Sequence, residues 1–331
     1  MQSSPRSAKP LWAFLLCVFG SLGLLALPAP RYTDLEHPDP FVVRDTDGTY
    51  YGTHTTMFNG VYDAMIFLYK GTDLETLFDP SHRSIAWQAS FTGWNNRDVW
   101  APELHKIEGV WYLYYSANGR SGVLANPSPD PTAGKWTEAA RLFVSGADDW
   151  SIDGTVFQHR GKWYFLWSGI TPDQPGVQRL FISAMASPTR LEGPRVELSR
   201  PEFPWERQGA QGVYNVNEGP AVLQHGSRTF VSYSASFCMT AFYCLGLLWC
   251  DLSANPLLPG SWTKSPVPVF SSNPEQGLWG PGHSSFTTAG GQDYVVYHAM
   301  ERPQGFARRE LFFQSFTWDS AGFPLFGAAH R

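Results

Sequence analysis

One short unit recurs along the whole chain and restricts its fold more than any other feature. The unit is an apolar strand, a polar turn with glycine, and then an aromatic-rich strand ending in small or polar residues. It appears as "FVVRDTDGTYYGTH", "LHKIEGVWYLYYSA", "VFQHRGKWYFLWSG", "VLQHGSRTFVSYSA" and "SFTTAGGQDYVVYHA". The turns supply what a tight hairpin needs, a residue that tolerates positive φ. Their glycines, Gly48, Gly109, Gly161, Gly226 and Gly290, recur at intervals of 52 to 65 residues. Each interval has room for a four-stranded sheet with its loops. A lone sheet of that kind cannot bury both faces, so such units stack around an axis. The pattern predicts an all-β chain folded as a five-bladed β-propeller. A β-sandwich is the alternative, but it leaves five similar hairpins at this period unexplained.

Composition agrees. Aromatic residues make up 15% of the chain, which also carries 31 glycines and 26 prolines. Many turns and many aromatics suit short strands. No long amphipathic helix pattern is present. The formal net charge of −5 argues against a nucleic-acid partner, which requires a clustered basic surface.

The first residues read differently. Arg6 and Lys9 precede "LWAFLLCVFGSLGLLALPA", the n-region and apolar run of a secretory signal. Residues 1–29 are expected to be a signal peptide, with a signal anchor as the rival reading. Residues 30–331 then form a single domain, secreted and free of the membrane after cleavage. In that setting "CMTAFYC" suits a disulfide between Cys238 and Cys244, with Cys250 as a buried free thiol. No Cys/His spacing resembles a zinc site.

The starts of the first strands carry the chemistry. They read "HPDPFVV", "WAPELHKI", "SIDGTVF", "NEGPAVL" and "GPGHSSF". Three hold an acid at a matching position: Asp39, Asp153 and Glu218. A fourth holds His283, and the second holds Trp100 and Glu103. In a propeller these distant positions converge on the axis. Beside Gly or Pro a single acid is usually a turn residue. Three in register point instead to glycoside hydrolysis, which needs one carboxylic acid and one carboxylate. Burial and a neighbouring negative charge keep the acid protonated.

These motifs, together with "YLYYSA", "YCLGLL", "YHA" and "FTWDSAGFPLFG", resemble glycoside hydrolase family 43 from about Tyr32 to Gly327. The likeness is to its secreted fungal exo-acting α-L-arabinofuranosidases. The resemblance implies a five-bladed propeller with inverting chemistry. It implies Asp39 as general base, Glu218 as general acid and Asp153 as the residue that raises the acid's pKa. Trp100, Glu103, His283 and Arg309 become substrate-binding candidates, although Arg308 adjoins Arg309. His283 is also a candidate for holding a structural calcium ion through water, or equally for bonding a carboxylate with no metal. No cofactor is needed for the chemistry itself. The implied substrates are plant cell-wall arabinan and arabinoxylan, and a monomer is expected. β-Xylosidase, endo-arabinanase and a non-catalytic carbohydrate-binding propeller are the rival readings. One departure stands out: "RSGVLANPSPDPTAGKW" is short, so the second blade is expected to lack part of a strand.

Overall fold

The computed structural model describes residues 35–58, 61–62, 64–209, 215–303 and 308–330. The expected signal segment, residues 1–29, lies outside them. The described residues are all-β, broken only by single turns of 3-10 helix. No helix among them is long and apolar enough to cross a membrane.

Apart from a small three-stranded sheet of Leu35–Glu36, Met57–Phe58 and Val61–Tyr62, the strands follow one another as antiparallel meanders of four. The first comprises Phe41–Arg44, Tyr50–Thr53, Met65–Gly71 and Arg83–Gln88, and the second Trp100–Ile107, Val110–Ala117, Arg120–Asn126 and Thr137–Leu142. The third runs Trp150–His159, Lys162–Ile170, Val177–Ser187 and Arg190–Ser199. The fourth runs Asn215–His225, Arg228–Ala235, Cys244–Asp251 and Thr263–Lys264. The last comprises Trp279–Ala289, Gln292–Met300, Arg309–Trp318 and Pro324–Leu325. The third and fourth meanders share one eight-stranded sheet, because two residue pairs join them in parallel: Val177 with Asn215 and Gln178 with Val216. The second meander is complete, contrary to expectation. Its short segment still forms Arg120–Asn126 and Thr137–Leu142, with the register slip taken up as a bulge at Val123/Leu124.

The aromatic-rich second strands are buried on both faces, and their period of two feeds two different cores. In Val110–Ala117, Trp111, Leu113 and Tyr115 pack toward Tyr51, Ile66 and Leu68 of the first meander. Tyr114 packs instead with Val156, Phe165 and Trp167 of the third. Similar cores join the third meander to the fourth, through Leu166 and Val231, and the fourth to the last, through Leu245 and Val295. A further core sets Val296 of the last meander against Val42, Tyr50 and Phe67 of the first. Each fully buried side chain of this size contributes about 1.5–3 kcal/mol, so every junction between neighbours is a strong one. Ser285 Oγ tightens the first-to-last junction by donating to Pro40 O at 3.0 Å.

Candidate active site

Near the start of each first strand a residue adopts positive φ: Asp39 (56°), Ala101 (45°), Asp153 (56°), Gly219 (51°) and His283 (46°), with Gly280 (57°) a second in the last of them. All five turn their N–H onto a side chain from another meander, four of them onto the small polar or histidine residues that end the hairpins. Asp39 N donates to His298 Nδ1 at 3.0 Å, and Ala101 N to Thr55 Oγ1 at 2.7 Å. Asp153 N donates to Ser116 Oγ at 2.9 Å, and His283 N to Ser234 Oγ at 2.7 Å. The small polar residues that end each hairpin therefore anchor the next strand to its neighbour.

Gly219 differs in its acceptor, which is a site carboxylate instead of a hairpin-end residue. Its N–H donates to Asp153 Oδ2 at 3.0 Å. A Cβ there would lie 3.0 Å from the His283 ring, tighter than an ordinary contact, so glycine eases the close approach of the two strands. Glu218 consequently stands one position ahead of the residue that shares register with Asp39 and Asp153. The expectation of three acids in strict register is corrected to two, with the third displaced by the glycine that follows it.

A cavity of about 160 Å³ receives these side chains. Asp39, Trp100, Asp153, Glu218, His283 and Arg309 line it, and Ile152, Cys238 and Tyr243 complete the wall. A larger groove of about 840 Å³ lies along the hairpin His159–Tyr164, but it gathers no carboxylate cluster. Chemistry, not size, marks the smaller cavity.

Asp39 is surrounded by cationic and donor groups. Thr55 Oγ1 donates to its Oδ2 at 2.6 Å, while His283 Nδ1 lies 3.2 Å and Arg309 Nη1 3.7 Å from its Oδ1. Burial alone would push its pKa up, but His283 and Arg309 outweigh burial and hold it at about 2. Burial opposes charge on His283 too, yet Asp39, Asp153 and Glu218 together push its pKa up. Burial, then Arg309, drive the pKa of His298 well down. Its Nδ1 accepts the Asp39 N–H, so its 3.5 Å approach to the carboxylate is not an ion pair.

Glu218 has the opposite surroundings. Gln178 Nε2 reaches its Oε2 at 2.8 Å and Tyr243 Oη its Oε1 at 2.9 Å, both neutral groups. Burial and then the Asp153 charge push its pKa up to about 7. Asp153 is likewise raised, chiefly by burial. Gly282 makes room for Tyr243, because a Cβ there would meet the ring at 2.2 Å.

Two expectations change. Glu103 is buried outside the cavity lining, two residues past the turn at Ala101, and bonds His105 Nε2 at 2.9 Å. The Cys238–Cys244 bridge is not formed, and both are free thiols along with Cys250. Cys238 faces the cavity, whereas Cys244 begins a strand and packs into the core between the third and fourth meanders. Of the two arginines, Arg309 lines the cavity and Arg308 pairs with Glu310 at 2.6 Å. Calcium takes six to eight oxygens, and among the described residues no three His, Cys, Asp or Glu side chains are grouped to hold a metal. An ion beside His283 would have to be held through water.

Sequence reading missed Gln178, Tyr243 and His298. Tyr243 and His298 sit in the motifs "YCLGLL" and "YHA". Gln178 sits in no motif and reaches Glu218 only through the parallel junction of two meanders.

A half-buried acid with a raised pKa and an ionised carboxylate lining one small cavity make the site of a glycosidase. The family model for Glycosyl hydrolases family 43 matches residues 33–324, and the chain belongs to that family. It is 39% identical over 292 residues to an extracellular exo-alpha-(1->5)-L-arabinofuranosidase of Streptomyces chartreusis, covering 84% of this chain and 86% of that one. It is 36% identical to alpha-L-arabinofuranosidase 43 of Humicola insolens, over 95% of this chain and 67% of that one. The crystal structure of alpha-L-arabinofuranosidase from Lactobacillus brevis superposes with a TM-score of 0.81 at 31% identity. That match covers 89% of this chain and 95% of the other.

Proposed function

We propose that this protein is a secreted exo-acting α-L-arabinofuranosidase that releases terminal L-arabinofuranose from arabinan or arabinoxylan with inversion. The observation that carries the reading is one cavity with two carboxyl groups in opposite states: Asp39 held at about 2, Glu218 raised to about 7. Near pH 5–6 the first is a carboxylate and the second a carboxylic acid. Asp39 takes a proton from water as its oxygen attacks the anomeric carbon. Glu218 gives its proton to the departing glycosidic oxygen. Asp153 raises the acid's pKa, and Arg309, His283 and Trp100 contact the sugar. Inversion fits if the two carboxyls stand about 6.5–9.5 Å apart, with water between them. The cavity of about 160 Å³ is small beside ligand pockets of roughly 300–1,000 Å³, which favours one terminal sugar over a chain.

The architecture belongs to the same proposal. Cores between successive meanders, with a further core from the last back to the first, support a closed five-bladed propeller. Secretion rests on the apolar N-terminal run and on relatives named as extracellular. Calcium held through water beside His283 and a monomeric state are further proposals, neither needed for the steps above.

A panel of aryl glycosides and arabino-oligosaccharides, with product anomers followed by NMR, tests the reading. Release of arabinose from chain ends with inverted configuration is expected. Cleavage of xylosides alone, internal cleavage, or binding without hydrolysis each overturns it.

A further inference from the structure

Both oxygens of Glu218 are engaged, by Gln178 on Oε2 and by Tyr243 on Oε1. For a general acid this is a problem of address: the proton must sit on the oxygen that faces the leaving group. The hydrogen bonds behind Gln178 settle the address. Ser168 is fully buried, and its Oγ lies 2.7 Å from Asn217 O and 2.9 Å from Gln178 Nε2. A hydroxyl has one proton, and a backbone carbonyl can only accept. Ser168 therefore donates to Asn217 O and can only accept from Gln178. That requirement turns the Gln178 amide so that its NH2 group faces Ser168. The second proton of the same NH2 points at Glu218 Oε2.

We propose that Ser168 and Gln178 form a positioning pair that keeps Glu218 Oε2 as an acceptor, so that the catalytic proton resides on Oε1. The inference rests on Glu218 being the acid of the proposed function. The Gln178 NH2 can only donate, whereas the Tyr243 hydroxyl that donates to Oε1 can also turn and accept, so protonated Glu218 carries its hydrogen on Oε1. In the reaction that O–H bond breaks, the proton passes to the glycosidic oxygen, and the bond from that oxygen to the anomeric carbon is released. An amide turned the other way would offer Glu218 an acceptor. The proton would then be drawn to Oε2 and held there, away from the leaving group.

The pair's origin explains an irregularity of the fold. Gln178 has Val216 as its Cα partner in the parallel junction, two residues ahead of Glu218. Antiparallel meanders need no such junction. It brings the third strand of one meander beside the first strand of the next. Asn217, whose carbonyl fixes Ser168, is itself held by Glu206 Oε1 at 3.0 Å and Ser199 Oγ at 2.8 Å. Glu206 is fully buried and paired with Lys264 at 2.8 Å. The acceptor that sets the amide is thus anchored on its own account.

The test compares Ser168→Ala, Gln178→Met and Ser168→Thr with the unaltered enzyme. Each is assayed on an arabino-oligosaccharide and on an aryl arabinofuranoside whose leaving group needs no proton. Ser168→Ala and Gln178→Met are expected to lower kcat on the oligosaccharide about tenfold or more, with KM little changed. On the activated substrate the loss stays within about threefold. Ser168→Thr keeps the hydroxyl and restores the oligosaccharide rate. Equal losses on both substrates mean general damage to the site and overturn the inference, as does no loss on either. An unaltered enzyme that cleaves another sugar from the panel overturns the substrate assignment alone. The leaving-group comparison is then read with that aryl glycoside and its natural counterpart.

Discussion

The two walls of the cavity start from the same backbone device and end with opposite chemistry. Asp39 and Asp153 share the same φ of 56°, and each donates its N–H to a side chain from another meander. Beyond the backbone they diverge. The Asp39 wall brings His283, Arg309 and Thr55 onto one carboxylate. The opposite wall sets Asp153 beside Glu218 and surrounds Glu218 with an amide and a phenol. Desolvation raises both carboxyls, so it alone cannot separate them. Neighbouring charge does: cations hold one carboxyl ionised, and a second carboxyl keeps the other protonated.

Removing Asp39 breaks the comparison most severely. Asp39→Asn is expected to lower kcat by about 10³-fold or more. The loss should be the same for aryl and natural arabinosides, because water needs its base whatever the leaving group. The substitution also deprives His283 and Arg309 of the anion between them. Breaking a buried pair in this way costs about 3–5 kcal/mol, so thermal melting should fall together with activity. A loss confined to natural substrates would move Asp39 from base to acid.

Asp153 offers a finer test, because it touches one wall without reacting. Its charge is the second-largest influence raising Glu218, after burial. Asp153→Asn removes that charge, and the proton of Glu218 becomes easier to lose. The alkaline limb of the kcat/KM profile, expected near pH 7 in the unaltered enzyme, should move down by about one pH unit. The acid limb belongs to Asp39 and should stay where it is. An upward shift of the alkaline limb would reverse the assigned sign of this interaction.

Much of this contrast is legible in the sequence, and the illegible part has a physical cause. The hairpins announce themselves because a tight turn needs glycine and a twice-buried strand needs aromatics. The acids Asp39, Asp153 and Glu218 stand out beside Gly or Pro at strand starts, and the fold brings all three into one cavity. Glu103 looks equivalent but is not, since the turn at Ala101 falls two residues earlier and directs the acid to His105. A difference of two residues in a bulged strand is invisible to motif spacing. The cysteine spacing suits a loop closure, yet one thiol faces the cavity and the other the core. Gln178 is invisible for another reason. Its position depends on a junction between two separate meanders, which no local pattern encodes.

The smallest effect concerns stability, where the Glu218 wall should register as a cost. Its pKa rises from 4.5 to about 7 on folding. A carboxyl raised in this way favours the folded state below pH 4.5, where it is protonated in both states. That support is lost as pH climbs through 7, because the folded protein must then hold a buried charge. Every tenfold change in proton affinity corresponds to about 1.4 kcal/mol, so the penalty well above pH 7 is on the order of 3 kcal/mol. Glu218→Gln removes the titration and keeps the shape. Relative to the unaltered enzyme, the variant should be about equally stable at pH 4 and more stable at pH 8, as read by denaturant unfolding. At both pH values it should have lost its activity on unactivated arabinosides. A stability difference that does not change with pH would mean that Glu218 already ionises as an ordinary exposed glutamate, and the contrast between the two walls would collapse.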